Sequence, residues 1–158
     1  MRSGLPNFTG VILAAGGSSR MGNPKALLDW NGQPLLTAHC QAFTLICSRV
    51  IVMIGSQHQL IQTVIPDGVD IKINRKWDHT HMADSLRLAL SDVDGPCLVT
   101  PVDTPPAPLS VLKQITQQDT PTVPTFKGHD GHPVWVDARP TVQMLKSCLL
   151  YTSDAADE

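Results

Sequence analysis

Four short apolar runs, each closed by glycine, asparagine or proline, cut the chain into strand-sized pieces up to residue 101. Residues 8–15 carry Val11, Ile12 and Leu13 and stop at Gly16; residues 49–54 read Arg-Val-Ile-Val-Met-Ile and stop at Gly55. Residues 69–73 form a third strand before Asn74, and residues 97–100 a fourth, cut by Pro101. Between them the period changes. Pro34 can open a helix carrying Leu35, Leu36, Cys40, Phe43 and Leu45, because its fixed φ suits a first helical turn. A short helix is expected over 57–64, stopping near Pro66, and a longer one over 84–91, where Leu86, Leu90 and Val93 recur at helical spacing. Residues 109–118 read as another helix, and residues 141–146 begin a last one. Residues 122–126 and 133–136 are expected to pair as strands around the stretch 127–131.

Strands alternating with helices imply an α/β chain with a mostly parallel sheet, and unbroken apolar runs imply that helices cover both of its faces. There is no internal repeat. In such sheets ligands sit beyond the carboxyl ends of the strands. Gly16, Gly55, Asn74 and Asp103 all follow expected strands, so one rim collects the chemically interesting residues. The length of 158 residues suits one domain, and 42% hydrophobic with 16% charged residues describes a globular chain. A formal charge of -2 supplies no general attraction for nucleic acid or acidic lipid. No apolar run approaches the roughly 20 residues that span a bilayer. Cys40, Cys47, Cys97 and Cys148 form no Cys-x-x-Cys pair, which removes zinc-ligand spacing and favours buried free thiols in a reducing cytoplasm. No signal peptide is visible before the first strand. Glu158 is the only glutamate, so carboxylate chemistry falls to aspartates.

The stretch Leu13-Ala14-Ala15-Gly16-Gly17-Ser18-Ser19-Arg20-Met21-Gly22-Asn23-Pro24-Lys25 is the most informative in the chain. Small residues let backbone N–H groups surround an anion, and Arg20 and Lys25 add fixed positive charge for phosphate oxygens. The pattern is neither the Gly-x-x-x-x-Gly-Lys-Ser/Thr loop, since Ala26 follows Lys25, nor a complete Gly-x-Gly-x-x-Gly. At the exit of the fourth strand, Val102-Asp103-Thr104-Pro105-Pro106 presents one carboxylate. Hard divalent cations commonly use one or two carboxylates plus substrate phosphates, so Asp103 is the candidate metal ligand; a helix N-cap is the alternative.

The stretch from Leu13 to Leu28 resembles the signature of the molybdenum-cofactor nucleotidyltransferases, and more closely its cytidylyl-transferring branch: Leu13-Ala14-Ala15-Gly16 stands where the guanylyl branch has Leu-Ala-Gly-Gly. The resemblance implies a Rossmann-like three-layer nucleotidyltransferase fold. It implies transfer of a nucleoside monophosphate, CMP from CTP, to molybdopterin with Mg2+ and release of pyrophosphate. Arg20, Lys25 and Asp103 then form the catalytic set. Ala14, Ala15, Gly16, Gly17, Ser18 and Ser19 hold the nucleotide, with Gly55, Asn74 and Ser85 around its pocket. His81-Met82 stands where the family has Gly-Met before that serine. Gly131-His132-Pro133 is similar to the family's acceptor-side element, which brings His132 into the set. A molybdoenzyme client is the protein partner implied. Transfer to a sugar phosphate or another small phosphorylated acceptor, and a non-catalytic nucleotide-binding role, are the competing readings. His58 is either a ligand contact or a solvent-facing helix residue, and His79 with His81 makes a weak metal pair. Residues 148–158 lose the helical pattern and look like translated adapter sequence. The expected division is therefore an incomplete nucleotidyltransferase domain over 1–147 and a non-native tail. Family members continue with a further acidic segment, which can supply a second metal carboxylate.

Overall fold

A computed structural model describes residues 7–17 and 22–156, with side chains as far as residue 147. Ser18, Ser19 and Arg20, assigned above to the phosphate loop, lie outside the described residues. The elements run β1 (Thr9–Ala14), β2 (Asp29–Trp30), β3 (Gln33–Pro34), α1 (Leu35–Thr44), β4 (Arg49–Ile54) and α2 (His58–Ile61). They continue with β5 (Asp70–Ile73), α3 (Met82–Leu90), β6 (Pro96–Pro101), α4 (Leu109–Thr116), β7 (Thr125–Phe126), β8 (His129–Asp130), β9 (Val134–Asp137) and α5 (Ala138–Ala156).

The main sheet has five strands in the order β5-β4-β1-β6-β9. β1 lies parallel to both β4 and β6, and β4 lies parallel to β5; only β9, at the edge, runs antiparallel. Alternate residues of β1 and β4 enter opposite cores, because successive strand side chains point to opposite faces. Ile12, Val52 and Ile54 pack under α1, α2 and α4 with Leu36, Phe43, Ile61 and Leu112. Val11, Leu13, Ile51 and Met53 pack under α3 and α5 with Ala89, Leu90 and Ala138. The result is three layers. Cys40, Cys47 and Cys97 are buried free thiols, and burial pushes each pKa up to about 12, so they stay protonated and inert. Among the described residues no helix is long and apolar enough to cross a membrane.

Four departures from the sequence expectation have local causes. Asn31 (φ 51°) and Gly32 (φ 89°) form a two-residue turn joining β2 to β3, a hairpin absent from the apolar pattern but signalled by the Asn-Gly pair. The expected pairing of 122–126 with 133–136 shrinks to a single bridge, Thr122 to Trp135. Lys127 (φ 51°) and Gly128 (φ 79°) instead turn the chain so that β7 pairs with β8. That frees β9 to join the main sheet beside β6. α3 starts two residues earlier than expected, because Asp84 accepts the backbone N–H of His81 at 2.8 Å and caps the first turn. α5 starts at Ala138 and keeps Pro140 in its first turn, where no backbone donor is needed. It continues to Ala156, beyond the point where the apolar period lapses.

Gly10 shows how closely the first layer packs. A Cβ there would fall 2.4 Å from Cδ2 of Phe43 and 3.1 Å from Sγ of Cys47. Gly10→Ala should therefore lower unfolding free energy by about 1–3 kcal/mol through overpacking, measured by urea denaturation. An unchanged midpoint would mean that Phe43 moves aside without cost.

Candidate active site

The glycine loop is tied to the strands on either side of it. Val102 N–H donates to Leu13 O at 3.0 Å, and Ser56 N–H donates to Ala15 O at 3.3 Å. The exits of β1, β4 and β6 are thereby held at one level of the carboxyl rim. A cavity of about 800 Å3 opens there, lined by Ala15, Gly16, Gly17, Ser56, Gln57, Trp77 and Ser85 among others. A smaller one of about 110 Å3 lies on the other side of the loop, between Ala14, Lys25 and Asp103. Leu13, Gly16, Gly17 and Met82 line both, so the two cavities adjoin at the start of the loop.

Lys25 opens a single 3-10 turn, Lys25–Leu27, after Pro24. Its Nζ donates to Oδ2 of Asp103 at 3.3 Å, across 78 residues of sequence. The two side chains are 42% and 47% exposed, so the pair contributes at most about 1 kcal/mol to stability. Its value is positional: cation and carboxylate face the same small cavity. Asp103 does not cap a helix, since Pro108 occupies the N-cap position of α4. Among the described residues no group of three His, Cys or Asp/Glu side chains could cage a metal. One half-exposed carboxylate fits a hard divalent cation that takes its remaining oxygens from a triphosphate and water.

Two buried polar knots hold this rim. His39, on α1 and 2% exposed, donates from Nε2 to Thr104 O at 2.7 Å. Thr104 Oγ1 in turn donates to Pro101 O at 2.9 Å, closing the turn that carries Asp103. Burial pushes the His39 pKa below its ordinary value of 6.5, against opposing hydrogen bonds and the nearby Asp103 charge, so the ring is neutral. The second knot is Asn74, also 2% exposed. Its Nδ2 donates to Thr80 Oγ1 at 2.9 Å and Ser85 Oγ at 3.0 Å, while its Oδ1 accepts the N–H of Lys76 at 3.0 Å.

The Asn74 side chain thus folds the 75–81 loop, and its partner Ser85 lines the larger cavity. Gly55 sits at the exit of β4 as expected, but faces Trp77, whose Cβ lies 2.6 Å from where a Gly55 Cβ would be. His58 turns back, its Nδ1 lying 3.3 Å from Gly55 O. His132 is exposed and precedes β9; since β9 enters beside Val99 and runs antiparallel to β6, it stands on the same rim beyond β6, outside the linings of both cavities. Trp77, Gln57, Ser56 and His39 escaped the sequence reading. A tryptophan in a polar loop three residues after a strand exit was the available signal for Trp77; His39 gave none, because its apolar helix face looks like ordinary core.

The neutral His39 has a pH signature. Its folded-state pKa is depressed, so the unfolded chain binds the proton first: the stability it confers is complete above pH 6.5 and declines as pH falls toward the folded-state value. His39→Gln keeps a donor and removes the titration. Urea denaturation between pH 7.5 and 5 should show the natural chain losing stability more steeply than the variant; parallel curves would mean that His39 is protonated without penalty.

Comparison with known proteins gives this geometry a family. A model described as the MobA-like NTP transferase domain matches residues 10–155. The chain is 27% identical over 152 residues to the molybdenum cofactor cytidylyltransferase of Escherichia coli K12, covering 89% of this chain and 79% of that protein. It is 34% identical over 105 residues to a probable molybdenum cofactor guanylyltransferase of Rhodopirellula baltica, covering 63% of this chain and 50% of that relative's length. The solved structure of Rv0371c from Mycobacterium tuberculosis H37Rv superposes with a TM-score of 0.77 at 26% identity, covering 89% of this chain and 76% of that one. The same protein in complex with manganese gives 0.72 at 25% identity, covering 89% and 75%. Since the family model matches nearly the whole length and the three-layer fold superposes on these solved structures, the chain belongs to the MobA-like NTP transferase domain family.

Proposed function

We propose that this chain transfers a nucleoside monophosphate, CMP from CTP, to the phosphate of molybdopterin and releases pyrophosphate. The observation that carries the reading is the 3.3 Å approach of Lys25 to Asp103 beside the backbone of Gly16 and Gly17. In the reaction an acceptor phosphate oxygen attacks the α-phosphorus, a new P–O bond forms, and the bond to the β-phosphate oxygen breaks in line with it. No protein nucleophile is required. Backbone amides from Ala15 to Gly17, with Ser18 and Ser19, orient the triphosphate; Lys25 and Arg20 offset negative charge on its phosphates.

Asp103 is the residue assigned to hold Mg2+, and a divalent ion bound there supplies positive charge against the α-phosphate and the departing pyrophosphate. The manganese complex of the Mycobacterium tuberculosis relative supports a divalent ion. Ser85, Ser56 and Gln57 line the larger cavity, to which the nucleoside is assigned. His132 is assigned to the acceptor side, and the assigned compartment is the cytoplasm. The alanine of Leu13-Ala14-Ala15-Gly16 supports CTP over GTP. A client molybdoenzyme is the corresponding partner.

Pyrophosphate release measured with CTP, GTP, ATP and UTP, Mg2+ and molybdopterin should be fastest with CTP. Asp103→Ala should keep the fold and lose about a hundredfold or more of the metal-dependent rate, the scale of one charge-stabilising contact. Release with GTP alone would reassign the base. Release only with a sugar phosphate would reassign the acceptor, and equal rates for Asp103→Ala and the natural chain would remove the metal role.

A further inference from the structure

Gly17 and Gly55 lie 38 residues apart and face the same side chain. A Cβ on Gly17 would stand 2.9 Å from Cζ3 of Trp77, and one on Gly55 would stand 2.6 Å from Trp77 Cβ and 3.1 Å from its Cγ. Real Cβ atoms essentially never approach so closely. Neither glycine has a positive φ, so a left-handed turn is not what requires them. What requires Gly17 is the indole; what requires Gly55 is the indole together with the backbone O of Ala15, 2.7 Å from that Cβ position. Gly16 is the opposite case: among the described residues nothing lies within 4 Å of its Cβ position, and it lines both cavities. The loop therefore has a supported residue and an open residue side by side.

The support is itself braced. Trp77 is half-buried, lines the larger cavity, and belongs to the loop that Asn74 ties down through Lys76 N–H, Thr80 Oγ1 and Ser85 Oγ. Thr80 Oγ1 also donates to Lys76 O at 2.7 Å, closing the loop across Trp77. A buried amide with satisfied partners is a rigid anchor, because losing any one of those partners strands a polar group. The mechanical chain thus runs from Asn74 to the 75–81 loop, to the indole, to the backbone of Gly17 and Gly55.

We propose that Trp77 is a positioning residue: its ring fixes the backbone of Gly17, next to the Gly16 amide that receives the triphosphate, and Asn74 acts through it. The proposal rests on the nucleotide reading above. An anion held by bare amides needs them aligned beforehand, since a loop that must order itself on binding loses affinity to that ordering. Gly17 lacks a side chain here to admit the ring, Gly55 to admit the ring and the Ala15 carbonyl, and Gly16 lacks one to admit the ligand.

The test is a two-residue cycle read by calorimetric titration of CTP and GTP in the presence of Mg2+, with thermal unfolding alongside. Trp77→Ala should weaken nucleotide binding at least tenfold in protein that remains folded at the titration temperature, and Trp77→Phe should recover most of the loss. Gly17→Ala should weaken binding about tenfold in the natural chain and by less than threefold once Trp77→Ala has removed the ring. If Trp77→Ala does not fold, Trp77→Leu carries the same cycle. Equal affinity in the Trp77 variant and the natural chain overturns this proposal alone, as does a Gly17→Ala cost that is the same in both backgrounds. A natural chain that binds neither nucleotide overturns the nucleotide reading, and this proposal with it.

Discussion

The parallel ladder that flanks β1 on both sides is the constraint on which the rest depends. Thr9 to Ala14 pairs residue by residue with Arg49 to Ile54, and Thr9 to Leu13 with Cys97 to Pro101. With all three strands running the same way in this register, Ala15, Gly55 and Val102 must leave the sheet at one height. The hydrogen bonds from Ser56 to Ala15 and from Val102 to Leu13 extend that alignment past the strand ends. A one-residue slip would turn Ile12 and Val11 toward the wrong cores and would also carry Asp103 away from Lys25. Packing and site geometry are enforced by the same register.

Beyond the ladder, the rim is built from buried polar groups. His39 and Asn74 are each 2% exposed, and among the described residues no buried side-chain nitrogen or oxygen lacks a hydrogen-bond partner. Such groups add little net stability, but each is costly to leave unpaired, so they narrow the loop conformations compatible with folding. His39 does this for the turn bearing Asp103, and Asn74 for the loop bearing Trp77. The two supports come from opposite layers of the fold, His39 from α1 and the Asn74 knot through Ser85 of α3.

Charge is distributed to match. At the amino end of the strands, Arg49 pairs with Asp70 at 2.6 Å and with Asp92 at 3.2 Å, and Lys72 pairs with Asp92. The Lys72 and Arg49 contacts hold the Asp92 carboxyl below its ordinary value, against a smaller effect of burial. That network links β4, β5 and the end of α3 and serves stability. At the carboxyl rim the pair between Lys25 and Asp103 is longer, at 3.3 Å, and half-exposed.

What the chain determined by itself was local: apolar runs of strand length, helical spacings between them, and a run of small residues with two bases after the first strand. Those features follow from side-chain size, charge and backbone freedom at neighbouring positions, and they sufficed for the layered fold, for the shared rim of Gly16, Gly55, Asn74 and Asp103, and for Lys25 as a candidate beside Asp103. The β7–β8 turn was misread because its Lys-Gly dipeptide is a weaker turn signal than Asn-Gly. Tertiary structure alone decided which glycine serves which purpose, that Asn74 faces inward, that His39 supports the Asp103 turn, and that Trp77 stands against two glycines remote in sequence. These depend on distances between segments tens of residues apart. No local pattern encodes such distances, because the sheet sets them only once all its strands are paired.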